Sequence, residues 1–191
     1  MILFINACVR EASRTRRLAE AVLEKIRGEY EAEGKTFEIE ECNLGNVAFP
    51  VADEAFLLKR DALEAEEKWD DPMFDLARQF AQAEEIVIAA PYWDLSFPAA
   101  LKQYFEQINV MGITFRYTPE GFPEPMCSAK KLHYVTTVGG ALVPEEYGFG
   151  YVKALAESFY GITEVSLTQA VGFDIVGADE EQILREAIEK L

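Results

Sequence analysis

Apolar residues recur along this chain in two alternating rhythms, one suited to extended strands and one to helices. Met1–Asn6 is a short apolar run that hands over to a polar stretch. Ser13 stands in an N-cap context, and Leu18, Val22 and Ile26 then recur at four-residue spacing, which predicts a helix ending near Gly28. Phe37–Glu40 alternates apolar and polar, as a half-buried strand does. Helices are predicted over Glu54–Trp69 and Pro72–Ala83, the second opening with proline in its first turn. Ile86–Ala90 is continuously apolar up to Pro91 and reads as a strand covered on both faces. Pro98–Val110 follows as a helix, Thr114–Tyr117 as a small β-branched and aromatic ribbon, and Leu132–Val138 as a strand closed by Gly139 and Gly140. Tyr151–Tyr160 is helix-like, Val165–Val171 strand-like, and Asp179–Lys190 a terminal helix.

A strand followed by a helix, repeated about five times, predicts an α/β fold: an open five-stranded parallel sheet with helices on both faces. No internal repeat, low-complexity tract or linker divides the chain, so residues 1–191 are expected to form a single domain. Glu120–Ser128, with Pro119 beside it and Pro123 and Pro125 within it, reads as an insertion.

Charge and composition narrow the chemistry. The chain carries 18 Lys and Arg against 34 Asp and Glu, a formal net charge of −16. That balance argues against nucleic acid or an anionic membrane as partner, because phosphate backbones are held by basic side chains. No apolar run approaches the ~20 residues of a membrane span, and no basic segment precedes the first strand as a secretory leader would. A cytoplasmic protein is expected. Cys8, Cys42 and Cys127 are odd in number and widely spaced, which indicates neither a disulfide framework nor a metal site. The single histidine, His133, falls inside a strand and is expected to be a packed residue rather than a base. Glu64, Glu66, Glu67, Asp70 and Asp71 read as a solvated helix face and turn.

In open α/β sheets the ligand lies beyond the carboxyl ends of the strands, where strand order reverses. Three loops leave such ends with distinctive residues. Ala7–Thr15 has no GxGxxG and no GKS/T, but it sets Ser13 and Thr15 at a helix start among Arg10, Arg14, Arg16 and Arg17. Arginines there oppose the helix dipole, so either a bound anion neutralises them or they reach solvent and pair with Glu11 and Glu20. Cys8 is either a reactive thiol beside that loop or an inert small residue. Pro91–Pro98 offers Tyr92 and Trp93 as a wall for a flat ring, or as a plug under the next helix. Thr137–Gly140 lets backbone approach a ligand closely, or simply turns.

The three loops in order carry a resemblance. ILFINACVREASRT, PYWDLSFPAALKQYFEQINVMGITFRYTPEG, KKLHYVTTVGG and FYGI resemble the flavodoxin-like NAD(P)H dehydrogenase (quinone) family, especially its FMN-dependent NADH azoreductase branch. The similarity runs over most of the chain and is most specific in the middle block. It implies an FMN phosphate loop on Arg10, Ser13, Arg14 and Thr15. It implies one ring-binding turn on Tyr92, Trp93, Asp94 and Leu95, and a second on Thr137, Val138, Gly139 and Gly140. Tyr117 of FRYT corresponds to a tyrosine beside the substrate pocket; the roles of Tyr147 and Phe149, in the Ala141–Gly150 loop, stay open. The resemblance further implies a homodimer with FMN sites at its interface, NADH or NADPH as electron donor, and quinones, azo compounds or similar flat aromatic acceptors reduced by a ping-pong route. Two positions depart from the pattern: Asp94 where relatives carry Asn, and Ala7 where they often carry Ser. These departures keep two alternatives in view, a flavodoxin-like electron carrier and a binding module that has lost its cofactor.

Overall fold

The computed structural model describes all residues 1–191. Strands β1 (Ile2–Asn6), β2 (Ile39–Asn43), β3 (Glu85–Ala89), β6 (Lys131–Val138) and β7 (Glu164–Val171) form one sheet in the order β2-β1-β3-β6-β7. Every pairing in it is parallel. Helices α1 (Arg14–Ala32), α2 (Glu54–Ala65), α3 (Asp75–Gln82), α4 (Ala99–Ile108), α5 (Phe149–Leu155) and α6 (Glu180–Ile188) connect or follow the strands, and β4 (Phe115–Tyr117) pairs antiparallel with β5 (Pro123–Pro125) as a separate hairpin.

Alternation along the central strands sorts side chains into two cores. Leu3 and Ile5 of β1 and Ile86 and Ile88 of β3 face one way, against Phe80 of α3 and Leu101, Tyr104, Phe105 and Ile108 of α4. Ile2, Phe4, Val87 and Ala89 face the other way, against Leu18, Val22 and Ile26 of α1 and Leu184 of α6. Both faces of the central strands are thereby dry, which is why β1 and β3 read as unbroken apolar runs. Each aliphatic side chain so buried contributes about 1.5–3 kcal/mol.

Several boundaries move. α1 continues past Gly28 to Ala32, because Gly28 faces open space while Gly34, at φ +67°, supplies the left-handed stop. β2 starts at Ile39, so Phe37 lies before it and packs edge-on against Tyr30, with ring centroids 5.4 Å apart. α2 ends at Ala65, short of Trp69, and Glu67 adopts a left-handed backbone at φ 52° just beyond. The ribbon segment finds its partner inside the stretch read as an insertion, with Arg116 and Glu124 paired across it at 2.6 and 3.0 Å.

Candidate functional site

The chain leaves β1 for β2 on one side and returns to β3 on the other, so strand order reverses between β1 and β3. The loops after those two strands diverge there and open a crevice. A cleft of about 220 Å³ occupies it, lined by Val9, Arg10, Ala12, Ser13, Arg14, Thr15, Pro91, Tyr92, Trp93, Thr137, Gly139 and Asp174.

The first wall is the start of α1. Ser13 adopts an extended backbone at φ −76°, ψ 122°, and its hydroxyl accepts from the Arg16 N–H at 3.2 Å. The amides of Arg14 and Thr15 find no acceptor within the chain, and the first turn contains no acidic residue. Unpaired amides, the positive end of a 19-residue helix and two hydroxyls together suit an anion. Thr15 is 1% exposed, and its hydroxyl meets that of Thr137 at 2.5 Å, tying the helix start to the end of β6.

The arginines divide between the two readings. Arg16 pairs with Glu20 at 3.0 Å and Glu41 at 3.2 Å, and Arg17 pairs with both oxygens of Glu181 at 2.7 Å. Only Arg10 and Arg14 border the cleft. Arg14 bonds Glu180 at 2.9 Å, lies 3.6 Å from Asp174 and sits 4.9 Å over the Phe173 ring. Glu11 takes no part in these ion pairs.

The second wall is the turn after β3. Trp93 and Ser96 exchange backbone hydrogen bonds at 3.0 and 2.8 Å, with Asp94 and Leu95 between them at φ 50° and 69°. Ser96 Oγ donates to the Tyr147 carbonyl at 2.7 Å, fastening the turn to the neighbouring loop. The Asp94 and Leu95 amides make no bond within the chain. Tyr92 is held by its N–H to the Thr137 carbonyl at 3.2 Å, and burial together with Glu146 pushes its phenol pKa up.

The third wall is the end of β6. A Cβ at Gly139 would lie 1.9 Å from Asp174 Oδ2, so only glycine fits with Asp174 in place. Val138 is buried and its side chain does not reach the cleft, and Gly140 faces open space.

Arg10, Ser13, Arg14, Thr15, Tyr92, Trp93, Thr137 and Gly139 are therefore brought together as expected from the sequence. Asp94 and Leu95 form the turn's tip beside the cleft, outside its lining. Tyr117 does not line it: the residue is half exposed on the β4–β5 hairpin, edge-on to Phe115. Phe149 packs against Tyr134, and Tyr147 is exposed away from the cleft lining. Asp174 was missed, although it follows the carboxyl end of β7 and the same strand-end rule points to it.

Other candidates resolve plainly. Cys8 is buried, and burial raises its thiol pKa despite Ser13 and Arg16 nearby, which disfavours the thiolate a reactive cysteine needs. His133 is not simply packed. It bonds Glu85 at 2.7 Å and Ser166 at 2.9 Å near the amino ends of β3, β6 and β7, opposite the cleft. No group of His, Cys, Asp and Glu side chains is arranged to hold a metal ion, and no helix is long and apolar enough to cross a membrane.

Fold and crevice define a doubly wound α/β protein whose switch point carries a helix start with unpaired amides and an aromatic-walled turn. The chain belongs to the family described as having a flavodoxin-like fold, whose profile matches residues 1–191. It is 34% identical over 195 residues to an FMN-dependent NADH:quinone oxidoreductase of Clostridium perfringens, covering 99% of this chain and 94% of that one. A second relative, FMN-dependent NADH:quinone oxidoreductase 2 of Clostridium acetobutylicum, is 44% identical over 126 residues, 63% of this chain and 62% of the relative. Among solved structures, an azoreductase from Bacillus anthracis superposes with a TM-score of 0.80 at 25% identity, covering 99% of this chain and 95% of that one.

Proposed function

We propose that this chain is an FMN-dependent oxidoreductase that passes reducing equivalents from NADH or NADPH to quinones, azo compounds or similar flat aromatic acceptors. The observation that carries the reading is the cleft itself: amides without acceptors, two hydroxyls and two arginines meet an aromatic wall at the switch point. The residues fit the cofactor. Arg10, Ser13, Arg14 and Thr15 suit its phosphate, and Gly139 lines the cleft beside them, where the ribityl portion would pass. Tyr92, Trp93 and the Asp94–Leu95 tip suit the ring edge, with Thr137 bracing the loop behind them. The names of the two clostridial relatives support the same cofactor and activity.

When bound, FMN supplies the capacity to accept a hydride and release it to an acceptor. The chain's own part is positioning and electrostatics. The free amides of Asp94 and Leu95 favour negative charge that develops on the ring edge, and they need no reorganisation to do so because the turn is fastened at both ends. The Asp94 carboxylate accepts but cannot donate, so the turn acts through its main chain rather than through that side chain.

A homodimer is part of this reading. α2 buries none of its residues and leaves Leu57 and Leu58 exposed, and Trp93, Leu95, Tyr117 and Phe122 are also large exposed apolar groups. A second copy covering such surface would bring Tyr117 to a cleft that its own protomer does not let it reach. Light scattering at twice the 21.5 kDa protomer mass, lost on Leu58→Glu, tests it. Three free buried cysteines and an acidic surface support a cytoplasmic setting.

Purified protein should be yellow or become so with FMN, and should then oxidise NADH or NADPH when a quinone is added. Protein that binds no FMN overturns the reading. Flavin binding without nicotinamide turnover points instead to an electron carrier.

A further inference from the structure

We propose that Asp174 sets the affinity of the cleft for a phosphorylated ligand by competing with the phosphate for Arg14, an inference that rests on the flavin reading above. Asp174 is the one acidic side chain in the cleft lining. Its backbone N–H donates to the Gly139 carbonyl at 2.8 Å, and its carboxylate lies so close to Gly139 that a Cβ there would sit 1.9 Å from Oδ2. Its other oxygen lies 3.6 Å from Arg14 Nη1.

Arg14 has two further supports, Glu180 at 2.9 Å and the Phe173 ring at 4.9 Å, neither of which lines the cleft. Neutralising Asp174 therefore leaves the guanidinium held. A dianion drawn to the Arg14 and Thr15 amides meets the Asp174 carboxylate twice, as a like charge and as a rival for Nη1. A like charge several ångströms from a partly solvated phosphate weakens binding about three- to tenfold. A ligand with the same ring and ribityl chain but no phosphate does not feel it. Asp174 thus narrows the preference of the cleft for FMN over riboflavin and favours a readily exchanged cofactor.

The test is fluorescence titration of apoprotein with FMN and with riboflavin, for the native chain and for Asp174→Asn, Asp174→Ala and Glu180→Gln. Asparagine keeps the size of the side chain, and alanine guards against a hydrogen bond peculiar to asparagine. Expected are an FMN affinity about three- to tenfold tighter in both Asp174 variants, an unchanged riboflavin affinity, and a smaller effect from Glu180→Gln. The proposal is overturned if FMN binding is unchanged or weaker, if both flavins shift alike, or if Glu180→Gln matches Asp174→Asn. Native protein that binds neither flavin removes the cofactor reading itself, and this inference with it.

Discussion

Leu95 holds a backbone conformation that its side chain disfavours. At φ 69° its Cβ crowds the backbone, whereas the aspartate before it, at φ 50°, is of a type that tolerates this region. Paired left-handed residues suit a tight two-residue turn, which the Trp93–Ser96 bonds close and Ser96 anchors to Tyr147. Strain relieved by Leu95→Gly is partly offset by the greater freedom glycine gains on unfolding. The net expectation is a gain of about 0.5 kcal/mol in urea unfolding, accompanied by weaker flavin binding because the turn is less fixed. A variant that loses stability would show that Leu95 is held by packing. Thr137 gives a second case. Its hydroxyl is the sole side-chain partner of the Thr15 hydroxyl, which has almost no access to water. Thr137→Val should cost about 1–2 kcal/mol by stranding that group, and Thr137→Ser should recover most of it.

Elements show which signals survive in a sequence and which do not. Helix α1 was legible because its buried stripe and its Ser13 cap are local features. Ser13→Ala should lower stability by about 1 kcal/mol, read as a drop in the urea midpoint, and weaken FMN binding in the same titration. Its far end was misjudged because a glycine marks a stop only where the backbone turns left-handed, and Gly34 rather than Gly28 does so. The central strands were readable from continuous apolar runs. β2 was legible only in part, through the Phe37–Glu40 alternation that overlaps it at Ile39 and Glu40: four of its five side chains are not fully buried, so its pattern is weak, and its extent follows from pairing with β1. Half of the β4–β5 hairpin was legible, as the Thr114–Tyr117 ribbon, while β5 was hidden because it is bounded by prolines and exists only through its partner. In the site, loops at the ends of β1, β3 and β6 were found by applying the strand-end rule to unusual residues. The loop after β7, GFDIVGAD, contains no such cluster, so Asp174 carries no local signal of its place in the cleft. The placement of Tyr117 is set by what the hairpin packs against, a long-range contact that leaves no local signal in the sequence.

At the scale of the whole molecule, ligand chemistry and acid stability sit at opposite ends of the sheet. The cleft lies beyond the carboxyl ends of β1 and β3, while Glu85 begins β3 at the amino end, 3% exposed. Burial pushes the Glu85 carboxyl up, but hydrogen bonds from His133 at 2.7 Å and Tyr30 at 3.0 Å, aided by Lys131, outweigh it and leave its pKa below the usual 4.5. The same contact, after burial, raises the Tyr30 phenol to about 12. A carboxyl whose folded-state pKa is depressed stabilises the fold fully above its unfolded value, and that contribution is lost as pH falls through the folded value. The native chain should therefore hold a steady urea midpoint through neutral pH and lose stability on the acid side of about 4.5. Glu85→Gln should cost about 1–3 kcal/mol at neutral pH, since one of the two acceptor oxygens that serve His133 and Tyr30 becomes a donor, and should flatten the acid limb. Its FMN affinity should equal that of the native chain, because the turn, the α1 start and Gly139 lie at the other end of the strands. An acid limb unchanged by the substitution would move the origin of acid unfolding to the surface carboxylates. A fall in FMN affinity would mean that the two ends of the sheet are coupled through β3 and β6.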